Sequence, residues 1–199
     1  MKKLTLLLFP AFLLFCSLGP TAQLENFNYD VLIDGRPVGT YTASRTEANG
    51  VSIFRVETNT AAGLIRRSEI KSVMLSSYKD SKMMSTDIKT WVDNKLETSS
   101  ALFWDGNQYV KRDGDELSEI CSNMVSYSSA CVYFEEPFGR TALFYENYGR
   151  NLQVVNLGNH QYKVGLPNGS VEFYTYEKGK VVTVEIVQSF ATTTLNVTS

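Results

Sequence analysis

Residues 26–60 read NFNYDVLIDGRPVGTYTASRTEANGVSIFRVETNT, and this stretch decides the fold class. The pairs Asp34-Gly35 and Asn49-Gly50 separate three runs that are rich in Val, Ile, Thr, Tyr and Phe. Asp-Gly and Asn-Gly accept the positive φ angles of type I′ turns, and β-branched and aromatic side chains suit a pleated surface. The stretch therefore predicts three antiparallel strands that are joined by tight turns.

The same pattern continues to the end of the chain. Further turn pairs occur at Asp105-Gly106, Asp113-Gly114 and Asn168-Gly169, with alternating apolar and polar residues between them. We predict strands over 26–33, 37–48, 51–60, 66–78, 83–92, 95–104, 107–112, 116–121, 140–146, 151–156, 160–166, 170–177, 180–188 and 190–197.

One interval lacks this hairpin pattern. Asn123 to Phe134 contains no Gly or Pro and can begin at a Ser or Asn cap. We predict one short helix of about two turns here, ended before Pro137. A strand over 130–134 is the alternative.

These elements predict an all-β, mainly antiparallel fold. So many short strands cannot form a flat open sheet, so we expect a strongly curved sheet or a partly open β-barrel of consecutive hairpins. The short helix would pack against the sheet or plug it. No linker or repeat divides the chain, so residues 23–199 are predicted to form a single β-rich domain.

The first 22 residues predict a signal peptide. Lys2 and Lys3 precede an apolar run from Leu4 to Phe15, and small residues follow it up to Ala22. The run is too short to span a bilayer, and no later apolar stretch is long enough. We therefore expect an exported protein, periplasmic or extracellular.

The three cysteines fit that compartment. Cys16 lies in the apolar run, where lipid attachment of the outer-membrane lipoprotein type is the less favoured alternative, because Phe15 precedes it instead of a small residue. Cys121 and Cys131 remain after cleavage. An even count in an oxidising compartment predicts one local disulfide between them, with two free thiols as the alternative.

Composition excludes several function classes. The 19 Lys and Arg residues nearly balance the 21 Asp and Glu residues, so there is no electrostatic surface for nucleic acid. A single histidine cannot build a multi-histidine metal site, and we predict neither a metal nor a cofactor.

No catalytic constellation stands out. His160 follows Gly158-Asn159 and is interpreted as a solvated turn residue, not as a member of a triad. Glu135 and Glu136 are adjacent, so in an extended segment their side chains point to opposite faces. We therefore expect no enzyme activity and no catalytic residues.

Aromatic residues are the main candidates for a binding surface, and the chain contains 11 Phe, 11 Tyr and 2 Trp. They either fill an ordinary β core or line an apolar pocket inside the curved sheet. The candidates near the predicted hairpin and helix are Trp91, Phe103, Trp104, Tyr127, Tyr133, Phe134 and Phe138.

Short motifs, mostly at turns, carry a resemblance. They are Tyr29-Asp30-Val31, Asp34-Gly35, Gly39, Tyr133 to Pro137, Tyr162, Pro167-Asn168-Gly169, Tyr174-Thr175-Tyr176 and Gly179. The chain resembles small exported bacterial proteins of a domain of unknown function. These are similar in outline to the unclosed-barrel lipoprotein-localisation proteins of the LolA/LolB type. The resemblance implies an apolar concavity and no known catalytic residues.

The sequence thus favours a non-enzymatic binding or carrier module for a hydrophobic or lipid-like ligand. The alternative is a structural or protein-interaction module of the cell envelope that has no ligand pocket and binds an envelope protein. No individual ligand-binding residue can be named from the sequence.

Overall fold

The computed structural model describes residues 22–62, 68–120 and 123–198. These residues contain no α-helix, and so none that is long and apolar enough to cross a membrane. They form β1 (Gln23–Ile33), β2 (Arg36–Ala48), β3 (Val51–Ala62), β4 (Ser68–Lys79), β5 (Lys82–Val92), β6 (Lys95–Trp104), β7 (Tyr109–Asp113), β8 (Glu116–Glu119), β9 (Ala142–Tyr145), β10 (Arg150–Gly158), β11 (Gln161–Gly165), β12 (Val171–Glu177), β13 (Lys180–Val187) and β14 (Thr192–Val197).

All these strands belong to one antiparallel sheet. Each strand pairs with its sequence neighbour from β1 to β8 and again from β9 to β14. The pairing of β1 with β14, with Tyr29 opposite Val197 and Ile33 opposite Thr193, joins the two runs. β8 and β9 are left as the two edges, so the described strands form an unclosed, barrel-like sheet. The predicted all-β antiparallel fold is confirmed.

The hairpin turns have the backbone that the sequence predicts. Asp34 and Gly35 have φ angles of 48° and 75°, and Asn49 and Gly50 have 53° and 74°. Positive values at both central residues are the mark of type I′ turns, whose twist matches that of the flanking strands. Local turn chemistry therefore sets the strand boundaries.

The predicted short helix over 123–134 is wrong. This stretch forms successive tight turns, in which the Cys131 amide donates to Ser128 O at 2.9 Å and the Phe134 amide donates to Cys131 O at 2.9 Å. Ser128 also makes an isolated parallel bridge with Phe144. The alternative strand over 130–134 is not formed either. All side chains from 130 to 134 are buried. An amphipathic surface helix needs a polar face toward solvent, and this segment has none.

Residues 123–141, hereafter the plug, run through the interior of the sheet. Phe134 packs against Phe27 of β1 and Phe54 of β3, with ring centroids 5.7 and 5.5 Å apart. Tyr176 of β12 donates from its hydroxyl to Val132 O at 3.0 Å. The plug thus occupies interior space that a small barrel would otherwise fill with the side chains of its strands.

The plug occupies only one half of the interior. Because neighbouring strands are antiparallel, the Asn49–Gly50 and Lys178–Gly179 turns lie at one end, and the Asp34–Gly35 turn lies at the other. Lys180, next to the first of these ends, donates to Phe134 O at 2.9 Å. We name this end the closed end and the opposite one the open end.

Candidate functional site

A cavity of about 350 Å³ lies in the open half of the sheet, and we name it the barrel cavity. It is bounded by the inward faces of β1–β5 and β12–β14, and by residues of the plug and the β9–β10 turn. Its lining combines aliphatic, hydroxyl and tyrosine side chains: Val31, Ile33, Tyr41, Val56, Thr58, Thr60, Ser72, Met74, Ile88, Ser129, Tyr133, Tyr145, Asn147, Glu172, Tyr174, Ile186, Thr193 and Leu195.

A second cavity of about 600 Å³ lies beside it, between β4–β7 and the β9–β10 turn. The two share Ser72, Ile88 and Asn147 in their linings. Lys111 Nζ crosses the unclosed gap, where it donates to Asn147 O at 3.2 Å and pairs with Asp113 at 2.8 Å. The interior of the open half therefore continues toward the gap between the sheet edges.

The plug supplies the floor of the barrel cavity. The Tyr133 ring lies against Tyr41 with centroids 5.0 Å apart and against Tyr29 at 5.9 Å. Ser129 Oγ donates to Glu146 Oε2 at 2.5 Å. These contacts hold Tyr133 and Ser129 in place at the floor of the cavity.

Glu172 is the one carboxyl group among the described lining residues of the barrel cavity. Tyr174 donates from its hydroxyl to Glu172 Oε2 at 2.5 Å, and the Tyr145 hydroxyl donates to the same oxygen. Burial raises the pKa of Glu172 above its ordinary value, although both phenol bonds act in the opposite direction. Burial also raises the pKa of Tyr145 and of Tyr174 well above the ordinary phenol value, so both remain protonated donors.

Glu172 Oε1 takes no part in this network. Neither phenol bonds it, and no described residue donates to it. Every fully buried side-chain oxygen and nitrogen among the described residues has a hydrogen-bond partner. Oε1 has none and is therefore not fully buried, which leaves it accessible from the cavity that Glu172 lines.

Glu146 gives the opposite case, a carboxyl group that is fully enclosed. Its two oxygens accept from the Ser128 and Ser129 hydroxyls, and the Ala130 amide donates to Oε1 at 3.3 Å. Burial raises the pKa of Glu146 as well. Tyr78 donates to Ser128 Oγ at 2.6 Å and extends the network to β4. Glu146 therefore anchors the plug and presents no free oxygen.

The candidate aromatics divide between core, cavity and surface. Tyr133 lines the barrel cavity, while Tyr127 and Phe134 are buried in the core. Trp104 packs on Tyr109 at 4.9 Å, and Phe138 is 81% exposed. Both readings of the aromatics, core and pocket lining, thus hold for different residues.

His160 lies away from the barrel cavity, at the closed end. It is in the Asn159–His160 turn, its side chain is 67% exposed, and its Nδ1 lies 3.0 Å from Glu136 Oε1. Tyr162 donates to the same Glu136 oxygen at 2.7 Å. Glu135 instead faces Arg140 at 3.2 Å, so the two adjacent carboxylates have separate partners.

The remaining sequence predictions fall partly outside the described residues. Cys16, residues 1–21 of the predicted signal peptide and Cys121 all lie there. Cys131 is buried, and burial raises the pKa of its thiol to about 11. The Cys121–Cys131 disulfide stays a prediction. No group of three or more metal-ligating side chains occurs within 22–62, 68–120 and 123–198.

Sequence reasoning missed Glu172 and Tyr41. The signal for Glu172 is its position on β12, two residues before Tyr174 and four before Tyr176, which places it on the same inward face as both. An acidic residue on an otherwise aromatic inner face is expensive to bury, so it marks a site that is open or partnered.

Comparisons with known proteins give the family and the fold. A family model described as a domain of unknown function (DUF6134) matches residues 29–198. A β-barrel-like protein of the domain of unknown function DUF1849 from Brucella abortus is similar with a TM-score of 0.51 at 11% identity, over 87% of this chain and 95% of that one. No curated protein matches the chain. The expected resemblance to an unknown-function family with an open barrel is confirmed.

Proposed function

The chain belongs to the DUF6134 family, and we propose that it is a non-enzymatic binding or carrier module for a hydrophobic or lipid-like ligand. The ligand would occupy the barrel cavity. We further propose that the protein works after export, in the periplasm or outside the cell, as its N-terminal sequence indicates.

The observation that carries this proposal is the division of the interior into a plugged half and an empty half. Small barrels normally fill their interior with their own side chains unless they hold a ligand. Here Tyr133 and Ser129 of the plug bound the barrel cavity on one side, and about 350 Å³ of the interior beyond them is unfilled. This volume is at the lower end of the range for small-molecule sites.

The lining suits an amphiphile. Val31, Ile186 and Leu195 offer aliphatic surface, whereas Thr58 and Thr193 add hydroxyl groups. Ligand sites are typically apolar with a few polar groups that fix orientation.

The rim of the cavity is consistent with entry of an apolar molecule at the open end. Phe190 lies in the β13–β14 turn at this end and is 81% exposed.

The described lining of the barrel cavity offers little for acid–base or nucleophilic chemistry, because its one carboxyl group, Glu172, already accepts from two phenols. No His or Cys occurs among its described lining residues. Its Ser129 hydroxyl is held by Glu146, whose other contacts anchor the plug. We therefore propose binding without a chemical step.

Titration with a fluorescent apolar probe tests the proposal. Thr193 lines the cavity, and Thr194, next to it on β14, points to the other face of the sheet. We expect probe fluorescence to rise with the wild-type protein and with Thr194→Trp. We expect at least tenfold weaker probe binding with Thr193→Trp, whose indole fills the cavity.

Two results contradict the proposal. One is a wild-type protein that gives no enhancement of the probe. The other is equal probe binding by Thr193→Trp and Thr194→Trp, because the probe would then bind elsewhere. Circular dichroism of each variant verifies that the sheet is intact.

A further inference from the structure

We propose that the barrel cavity selects an amphiphile with a cationic, ammonium-type head group, and that Glu172 with its surrounding tyrosines binds that head group. This inference rests on the proposed function and names the ligand class for the same cavity. It depends on the placement of one carboxylate among aromatic rings, which the fold class by itself does not determine.

The first step is the charge of the lining. Glu172 is its one carboxyl group, and no Lys, Arg or His belongs to the described lining of the barrel cavity. An anionic head group such as a fatty-acid carboxylate would meet no counter-charge there and would be repelled by ionised Glu172, whereas a cation favours the ionised form that burial disfavours. Like-charge juxtaposition disfavours a partner strongly, whereas an opposite charge is attracted.

The second step is the free oxygen. Glu172 Oε2 already accepts from Tyr145 and Tyr174, but Oε1 has no donor among the described residues and is not fully buried. A carboxylate in a partly desolvated place gains most from a charge-assisted hydrogen bond. An N⁺–H group that enters the cavity supplies that bond and neutralises the charge.

The third step is the aromatic surround. Tyr41, Tyr133, Tyr145 and Tyr174 all line the same cavity as Glu172. The Tyr41 and Tyr133 ring centroids lie 5.0 Å apart with the planes tilted by 41°, and the Tyr145 and Tyr174 hydroxyls lie 3.0 Å apart. Tyrosine rings attract cations through their quadrupole, and aromatic cages bind ammonium groups in this way.

The rest of the cavity suits an apolar chain. Val56, Met74 and Ile88 extend the lining across β3–β5, toward the second cavity, which shares Ile88. A head group at Glu172 would therefore direct its chain along these strands and toward the unclosed gap.

The test compares three probes of equal chain length, which are dodecylamine, dodecanol and sodium dodecanoate, by displacement of the fluorescent probe at neutral pH. We expect dodecylamine to bind about tenfold more tightly than dodecanoate, a difference of about 1.4 kcal/mol, because only the ammonium group can form a charge-assisted hydrogen bond with Glu172. Glu172→Gln is expected to weaken dodecylamine binding about tenfold and to weaken dodecanol binding much less, because dodecanol carries no charge.

Glu185→Gln is the matched control. Glu185 is an exposed residue on the adjacent strand β13, and this substitution removes the same charge from the outer surface. It is expected to leave all three affinities unchanged, which separates binding at Glu172 from a general attraction of cations to an acidic protein.

Two outcomes overturn the inference. Dodecanoate that binds the wild type as tightly as dodecylamine removes the head-group preference, and this comparison needs no variant. Undiminished dodecylamine binding by a folded Glu172→Gln removes the role of Glu172. In both cases the alkyl probes still bind, so the proposed function stands. If none of the three probes binds the wild type, the proposed function itself fails.

Discussion

The two halves of the interior differ although one continuous sheet forms both. In the closed half, plug residues such as Val132 and Phe134 fill the space between the strands and are almost completely buried. In the open half, the same strands present Thr58, Ser72 and Thr193 to an empty cavity. Strand pairing is similar in both halves, so the difference lies in the side chains and in where the plug stops. The sheet encloses the interior, and the extent of the plug determines the volume that remains for a ligand.

The carboxyl groups of Glu146 and Glu172 show the same division. Glu146 is enclosed by Ser128, Ser129 and the Ala130 amide, so its hydrogen-bonding capacity is used within the protein. Glu172 has both of its bonds on one oxygen and leaves the other open. The first serves structure and the second is available for binding.

The largest loss of stability is expected from a substitution in the closed half. Phe134→Ala is expected to reduce the free energy of unfolding by about 3–5 kcal/mol, because it removes a ring that packs on Phe27 and Phe54. Ile186→Ala is expected to reduce it by less than about 2 kcal/mol, because Ile186 already borders an empty space. Urea denaturation of both variants measures the difference. Equal losses would mean that the two halves are packed alike.

A smaller loss of stability is expected from a substitution in the sheet near the open end. A Cβ added at Gly39 would lie 2.0 Å from Asn59 O, on the backbone of the neighbouring strand. Gly39→Ala is therefore expected to lower stability by about 1–3 kcal/mol through overpacking.

Gly165→Ala is the control, since nothing lies within 4 Å of its Cβ position and its φ is not in the left-handed region. This substitution is expected to be neutral or slightly stabilising. Thermal unfolding compares the two variants. A neutral Gly39→Ala would contradict the close approach of β2 and β3.

The pH dependence of stability tests whether the Glu146 carboxyl group is enclosed in the folded protein. Burial raises the pKa of Glu146 in the folded protein, so the folded state binds its proton more tightly than the unfolded state. Its contribution is complete below the unfolded pKa of about 4.3 and is lost as pH rises through the folded pKa, at about 1.4 kcal/mol for each unit of difference.

Glu146→Gln is therefore expected to flatten the fall in stability as pH rises from about 4.3, relative to the wild type. The measurement is the free energy of unfolding in urea at several pH values, compared as a slope so that any constant destabilisation cancels. Parallel slopes would show that Glu146 does not titrate differently in the two states.

The smallest effect is expected at the closed end. His160→Ala removes an exposed contact with Glu136 and should change stability by less than about 0.5 kcal/mol. Because His160 lies away from the barrel cavity, probe affinity should be unchanged. A loss of probe binding in titration of this variant would show that the ligand does not bind in the open half.

Most of the fold could be predicted because it is encoded locally. Asp34-Gly35 and Asn49-Gly50 specify turns within their own sequence, and alternation specifies the faces of the strands between them. The Asp80–Ser81 turn also has two positive φ angles but contains no glycine, so the sequence gives it a weaker signal.

The plug could not be predicted from local pattern. Its path depends on distant groups, namely Glu146, Tyr78 and Phe144, which bind Ser128 and its neighbours. The pairing of β1 with β14 is equally non-local. The cavity follows from both, so the sequence could indicate a possible pocket among many aromatics but could not locate Glu172 in it.

Native mass spectrometry of the protein purified from its own host tests directly whether the barrel cavity holds a ligand. We expect the wild type to carry a bound small molecule whose mass is lost on activation, and Thr193→Trp to carry none, while Thr194→Trp retains it. A wild-type protein that gives only the mass of its own chain under these conditions would contradict ligand binding in the barrel cavity.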